Sequence, residues 1–326
     1  MKAVVLNKYG DINSLKIQNV DTPKTMAKDD IFLEHIGMNI SPDDVLLCDG
    51  RTFLSEDQQQ MISVPGFSGV ARIIKKGSNI RHFEVGQQVG YLMGTPGSHC
   101  EKRVLHHSMV LNAPQDIALN KMIVCFREAV MAYVLIHKAV KIKQDAFVMV
   151  HGADGGVGHI IAQWCRFVGL KVIGTVISDK KKAFASRFCN TIISLESGDV
   201  FNETKDATEA KGVAVVFDGI GEKVFDESLR CLQFGGTYLN YYAVGGAMNT
   251  IDISRFASKS IFFGRPRLEH YQTSKAQMVL TMQGIFDIVK KGGIDINATE
   301  YTFDNVKKAY NDLKKGEVSG SVVLKV

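Results

Sequence analysis

The segment Val148-Met-Val-His-Gly152-Ala-Asp-Gly155-Gly156-Val157-Gly158-His159 constrains the fold more than any other part of the chain. It follows the unbroken apolar run 146–150, the pattern of a strand buried on both faces. Beyond it, Val157, Ile160, Ile161, Trp164 and Val168 recur at helical spacing up to Gly169, and residues 171–177 read as a second strand. Strand, glycine turn, helix and strand in this order describe a parallel pair joined by a crossover helix. Gly155, Gly156 and Val157 stand where a helix begins, with unpaired N–H groups and the positive end of the helix dipole. Gly158 allows that helix to pack closely on the sheet. This is a geometry that holds the pyrophosphate of a dinucleotide; the alternative is a tight turn that binds nothing.

The rest of the chain divides around this segment. At about 150 residues per domain, 326 residues suggest two domains. Over roughly the first 120 residues, short strand patterns (1–6, 31–36, 70–74 and 85–90) alternate with glycine turns, as in a mostly-β unit. From residue 122 the pattern becomes helix and strand in alternation. Helices are expected at 122–140, 184–188, 222–232 and 277–291, and strands at 213–217 and 237–241. The expected fold class is α/β, a doubly wound parallel sheet of Rossmann type beside a mostly-β domain. The boundaries expected are 1–121 for the mostly-β domain, completed by about 292–326, and 122–291 for the dinucleotide-binding domain. The strand-like tail 320–326 would return to the first domain.

Composition excludes more than it assigns. Hydrophobic residues make up 45% and charged residues 22%, which is ordinary for a globular chain. No apolar run approaches the ~18 residues needed to span a bilayer, and the start turns polar too soon for a secretory signal. A cytoplasmic location is therefore expected. A net charge of +5 is too small to suggest a nucleic-acid partner. The six cysteines lie 24 or more positions apart, with no C-x-x-C pair, so reduced, buried thiols and no metal centre are expected.

The end of the second strand bears on which dinucleotide is taken. A carboxylate there suits the ribose hydroxyls of NAD. Here Ser178 and Asp179 lead into Lys180-Lys181-Lys182. A 2′-phosphate suits Ser and Lys, so NADPH is expected, with Ser178 and Lys181 as contacts. The alternative is a solvated lysine run at a helix start. His159 is expected to face solvent, and Trp164 to lie in the core.

Further motifs carry a resemblance. Gly37-Met-Asn39, Pro65-Gly66-Phe-Ser-Gly69-Val, Val85-Gly86-Gln-Gln-Val89, the segment from Gly155 through Gln163-Trp164 to Val176, Ser228 to Gln233, and Arg265-Pro266-Arg-Leu268 follow one another in order. Together they resemble the zinc-free quinone oxidoreductases, also called zeta-crystallin-like proteins, of the medium-chain dehydrogenase/reductase superfamily. The resemblance runs over nearly the whole chain. It implies a GroES-like catalytic domain built from both chain ends, NADPH as cofactor, usually a homodimer, and hydride transfer to a quinone or related conjugated carbonyl. Zinc-dependent relatives bind a catalytic metal through Cys and His. At the matching places this chain has residues 39–44 without Cys, and Phe67-Ser68 instead of His-Glu; the four closely spaced cysteines of the structural zinc lobe are missing.

The resemblance also implies site residues. Asn39 is the leading candidate for a polar group near the nicotinamide or substrate; otherwise it stabilises a loop. Met131 stands where the family commonly has a nicotinamide-contacting threonine. Leu195 aligns with a tyrosine that helps hold the 2′-phosphate. The family's pocket tyrosines are missing from 40–54, where Phe53 is the only aromatic. After the fourth expected strand, a small glycine-bearing turn is replaced by Tyr241-Tyr242-Ala-Val-Gly245-Gly246. Tyr241 is taken as a cofactor contact, and Tyr242 as a residue that narrows the nicotinamide pocket or replaces a substrate contact. The alternatives to a quinone reductase are an enone or enoyl reductase, a non-catalytic NADPH-binding redox sensor and, least supported, a single-stranded RNA binder.

Overall fold

The apolar run ahead of the glycine loop forms strand Phe147–His151, buried from Val148 onward. It pairs in parallel with Lys171–Val176 on one side, which pairs in turn with Thr191–Ser194. On its other side lie Val213–Asp218, Leu232–Asn240 and Phe262–Gly264, again all parallel. Numbered along the chain, the six strands stand in the order 3-2-1-4-5-6, the doubly wound Rossmann arrangement. Parallel strands need crossovers, and helices Gly156–Phe167, Val200–Ala207 and Glu222–Cys231 supply three of them. Met149, Ile173, Val216 and Tyr238 of the sheet share one buried apolar cluster with Val200 and Leu229 of helices Val200–Ala207 and Glu222–Cys231.

Two strands of this sheet are not legible as patterns. Thr191–Ser194 has four residues and Phe262–Gly264 three, too few to establish a period, and both lie at sheet edges. Leu232–Asn240 is therefore the fifth strand of the unit, where the sequence suggested a fourth.

This computed structural model describes residues 1–51, 64–92, 95–248, 250–271 and 274–326; Phe53 lies outside them. The chain forms two units. One comprises Ala129–Thr273 and Asp287–Ile296 and holds the parallel sheet. The other comprises Met1–Glu128, Ser274–Phe286 and Asn297–Val326.

The second unit is built on a seven-stranded sheet. Its path is Ala298–Thr302, Ser321–Lys325, Asp30–Ile40, Ser68–Lys76, Gln88–Leu92 and Val110–Asn112, with Lys102–His106 also on Asp30–Ile40. Only the first pair is parallel. The tail strand is thus wedged between two others, with Val323 opposite Asn39. Ile31, Leu33, Ile73, Val89 and Tyr91 form one core cluster here; Met38, Ile40, Tyr310, Val322 and Leu324 form another.

The long apolar stretch expected as one helix is interrupted. Helix Leu119–Val124 passes into a π-helical turn, Cys125–Ala129, before helix Val130–His137. Such turns often carry functional groups, and this one carries Arg127 and Glu128. All six cysteines are buried free thiols. Among the described residues no helix is long and apolar enough to cross a membrane.

Candidate functional site

Loops that leave the C-terminal ends of parallel strands gather where the strand order reverses, here beside Phe147–His151. The glycine loop follows that strand. Helix Gly156–Phe167 starts at Gly155, and no side chain caps its first turn. The leading N–H groups of a helix have no partner within it, so Gly156, Val157 and Gly158 present donors to an anion. A Cβ on Gly158 would stand 2.0 Å from the Gly152 carbonyl oxygen. Only glycine permits the helix to start this close to the loop.

His151, at the strand end, is buried between Thr175 and Ser228. Ser228 spends its own proton on the Val224 carbonyl at 2.5 Å, so it accepts from His151 Nε2–H at 2.8 Å. Thr175 then donates to Nδ1, also at 2.8 Å. Burial pushes the imidazole down to about 4, so it stays neutral and fixes three elements to one another. His159, expected at the surface, is buried as well. Its Nδ1–H reaches the Gly155 carbonyl at 2.9 Å, its ring lies beside the touching pair Phe184 and Phe188, and burial pushes its pKa down to about 4. A neutral ring turned toward its own helix start offers no charge to a phosphate.

Ser178, half-buried, stands at the start of the short 3-10 turn Asp179–Lys181. Lys181 is not directed at solvent. Its Nζ lies 2.8 Å from Oδ2 of Asp154, inside the glycine loop, and both side chains are nearly enclosed. Lys182 pairs with Asp179 at 2.9 Å, and Asp179 also accepts from Ser197.

The loops after the fourth and fifth strands form a second clamp. The buried Asp218 carboxylate accepts from the backbone N–H groups of Ile220 and Gly221, from the Tyr238 hydroxyl and from Asn240 Nδ2. Gly221 holds a left-handed φ of 92°, and a Cβ there would meet the Gly246 carbonyl at 2.4 Å. The loop 241–246 is tied back by Val244 N to Gly219 O and Gly245 N to Ile220 O. Tyr241 and Tyr242 are both buried, their rings at 61° to each other, and Tyr241 lies over Gly219. Met131 is buried in helix Val130–His137, which packs on the glycine-loop helix.

Asn39 belongs to the other unit and is 1% exposed. Its Nδ2 donates to the Val322 carbonyl at 3.2 Å, and its backbone carbonyl accepts from His99 Nε2–H at 3.0 Å. Around it, Asn39 Oδ1, Asp44 Oδ1 and Ser68 Oγ are buried without hydrogen-bond partners. Glu128, also buried, accepts from Ser321 Oγ and hydrogen-bonds the Asn39 side chain. Burial pushes its carboxyl up to about 7. Arg127 pairs with Asp43 and lies 4.6 Å over the Phe67 ring. Among the described residues no group of three or more His, Cys, Asp or Glu is placed to hold a metal ion.

The structure therefore brings Gly155 to Gly158 together with Lys181 through Asp154, and Tyr241 with Tyr242 beside the Asp218 loop. It gives Asn39 a separate polar cluster within its own unit. Sequence reasoning passed over Asp154, Glu128 and the Asp218–Asn240 clamp. Only Asp154 left a signal, an acidic residue in a glycine loop followed by a run of lysines.

Comparisons with known proteins agree with this layout. The sequence model described as zinc-binding dehydrogenase matches residues 156–278. A 2-haloacrylate reductase from a Burkholderia species is 28% identical over 267 residues, 80% of each chain. Quinone oxidoreductase 1 of Escherichia coli K12 is 26% identical over 311 residues, 93% of each. A crystal structure of Escherichia coli quinone oxidoreductase complexed with NADPH superposes over 100% of both chains, with a TM-score of 0.94 at 24% identity. The chain is thus similar over most of its length to proteins named quinone oxidoreductase, and shares the fold of one of them.

Proposed function

We propose that the protein is an NADPH-dependent oxidoreductase that transfers hydride to quinones or related conjugated carbonyls without zinc. The glycine loop carries this reading. Its uncapped helix start offers backbone N–H groups to a diphosphate, and Gly158 lets the helix begin directly against the loop backbone. Gly155, Gly156, Val157 and Gly158 would hold the diphosphate. Ser178 and Lys181 would meet the 2′-phosphate, and Met131 and Tyr241 would border the nicotinamide. NADPH, when bound, supplies the hydride.

The chain's own residues supply position and polarity. Hydride addition to a conjugated carbonyl leaves negative charge on oxygen, which an N–H or O–H donor stabilises. We assign that work to Tyr242 and place Asn39 beside the nicotinamide or substrate as a polar contact. The unpartnered Oδ1 of Asn39 supports this as an acceptor for an N–H or O–H group, since a buried amide left incomplete by its own fold is costly to keep. Phe67 and Ser68, at the positions of metal ligands in zinc-dependent relatives, support a reaction without zinc. Likeness to a 2-haloacrylate reductase favours a second acceptor class, small conjugated carboxylates.

A homodimer is part of the proposal. The edge strand Phe262–Gly264 leaves one backbone edge open and Phe262 66% exposed, an apolar template for a second copy. We also place the reaction in the cytoplasm.

Incubation with NADPH and a panel of 1,4-benzoquinone, 9,10-phenanthrenequinone, enones and 2-chloroacrylate, followed at the reduced-nicotinamide band, tests the function. Oxidation of NADPH by a quinone in chelator-treated buffer is expected. Tight NADPH binding with no oxidation by any acceptor would replace the enzyme reading with that of a sensor.

A further inference from the structure

A carboxylate is out of place in a loop that would hold a diphosphate. Asp154 is nevertheless there, 4% exposed, one residue before the glycine at which the helix starts. Its Oδ2 takes the Lys181 ammonium at 2.8 Å, while its Oδ1 is enclosed with no hydrogen-bond partner. The pair spans the crossover, joining the loop after the first strand to the turn after the second. Breaking a buried pair from one side leaves the other charge without compensation, which is the expensive case. Lys181 therefore has two duties, one toward Asp154 and one toward a 2′-phosphate. Its neighbours do little to relieve it, since Lys182 is committed to Asp179 and Lys180 is exposed.

We propose that Asp154 sets the coenzyme selectivity of this protein by holding Lys181, so that a 2′-phosphate must compete with the loop carboxylate for the same ammonium. This rests on the reading of the glycine loop as the dinucleotide site and deepens it. The carboxylate weakens discrimination in favour of NADPH, and Lys181 offsets the repulsion Asp154 would exert on either coenzyme. NADH gains from the neutralised loop; NADPH gains from the lysine only after displacing Asp154.

Calorimetric titration of the full chain with NADPH and with NADH tests this. Asp154→Asn keeps the size and polarity of the side chain and releases Lys181; it should tighten NADPH about tenfold more than NADH, equivalent to ~1.4 kcal/mol. Lys181→Ala alone should weaken both coenzymes, because it leaves the carboxylate uncompensated. The double variant should recover NADH and not NADPH. Asp154→Ala is the second probe if the asparagine variant fails to fold, as judged by thermal melting. Equal change for both coenzymes in the folded Asp154 variant would overturn the selectivity role while leaving the dinucleotide site intact. Failure of the unaltered protein to bind either coenzyme would overturn the site itself.

Discussion

Glu128 shows how one residue can tie stability to pH. Its carboxyl is raised to about 7 in the fold, against about 4.5 in an unfolded chain, because burial disfavours the charged form. The folded state thus binds the proton more tightly than the unfolded state. The stability this contributes is complete below about pH 4.5, declines as pH rises toward 7, and stays lost above it. Glu128→Gln keeps an acceptor for Ser321 and cannot ionise. It should raise stability at pH 8 by roughly 3 kcal/mol and leave it nearly unchanged near pH 4.5. Urea unfolding at the two pH values measures this; an equal effect at both would mean that the carboxyl ionises inside the fold at its ordinary value. None of this was legible in the sequence, where Glu128 is one charged residue in an apolar stretch. Its burial depends on Ser321, which is distant in sequence and becomes a neighbour only through the tail strand.

At the scale of elements, the glycine loop was the part best read in advance. Strand, turn and helix each leave a local period, and glycines stand at fixed places between them. The Asp154–Lys181 pair was not read, because opposite charges separated by a whole helix and strand have no period to join them. The edge strands were missed because three or four residues carry no pattern. Gly158→Ala tests the loop directly. With the new methyl only 2.0 Å from a carbonyl oxygen, the helix must shift away from the loop, at a cost on the order of 1–3 kcal/mol. Calorimetry should show loss of most NADPH affinity in a variant that still melts cooperatively. Unaltered affinity would place the coenzyme elsewhere.

For the whole molecule, the fold class was legible because alternating strand and helix patterns permit few arrangements. Assembly is a property of the surface and left less trace. Phe262 is apolar in sequence, like many core residues; only the structure shows it on an open edge. Phe262→Lys should shift the protein toward monomer in sedimentation velocity, with its thermal unfolding little changed. A variant that sediments as the unaltered protein does would remove this edge from the association surface.

The wedged tail strand also sets an order of events during synthesis. Asn39 is made early, yet the backbone that faces it, Val322 and Val323, comes nearly three hundred residues later. All six strands of the parallel sheet have left the ribosome by then and can already have condensed. The polar cluster around Asn39 therefore stays open on one side until Ser321–Lys325 has been made and released to pair with it.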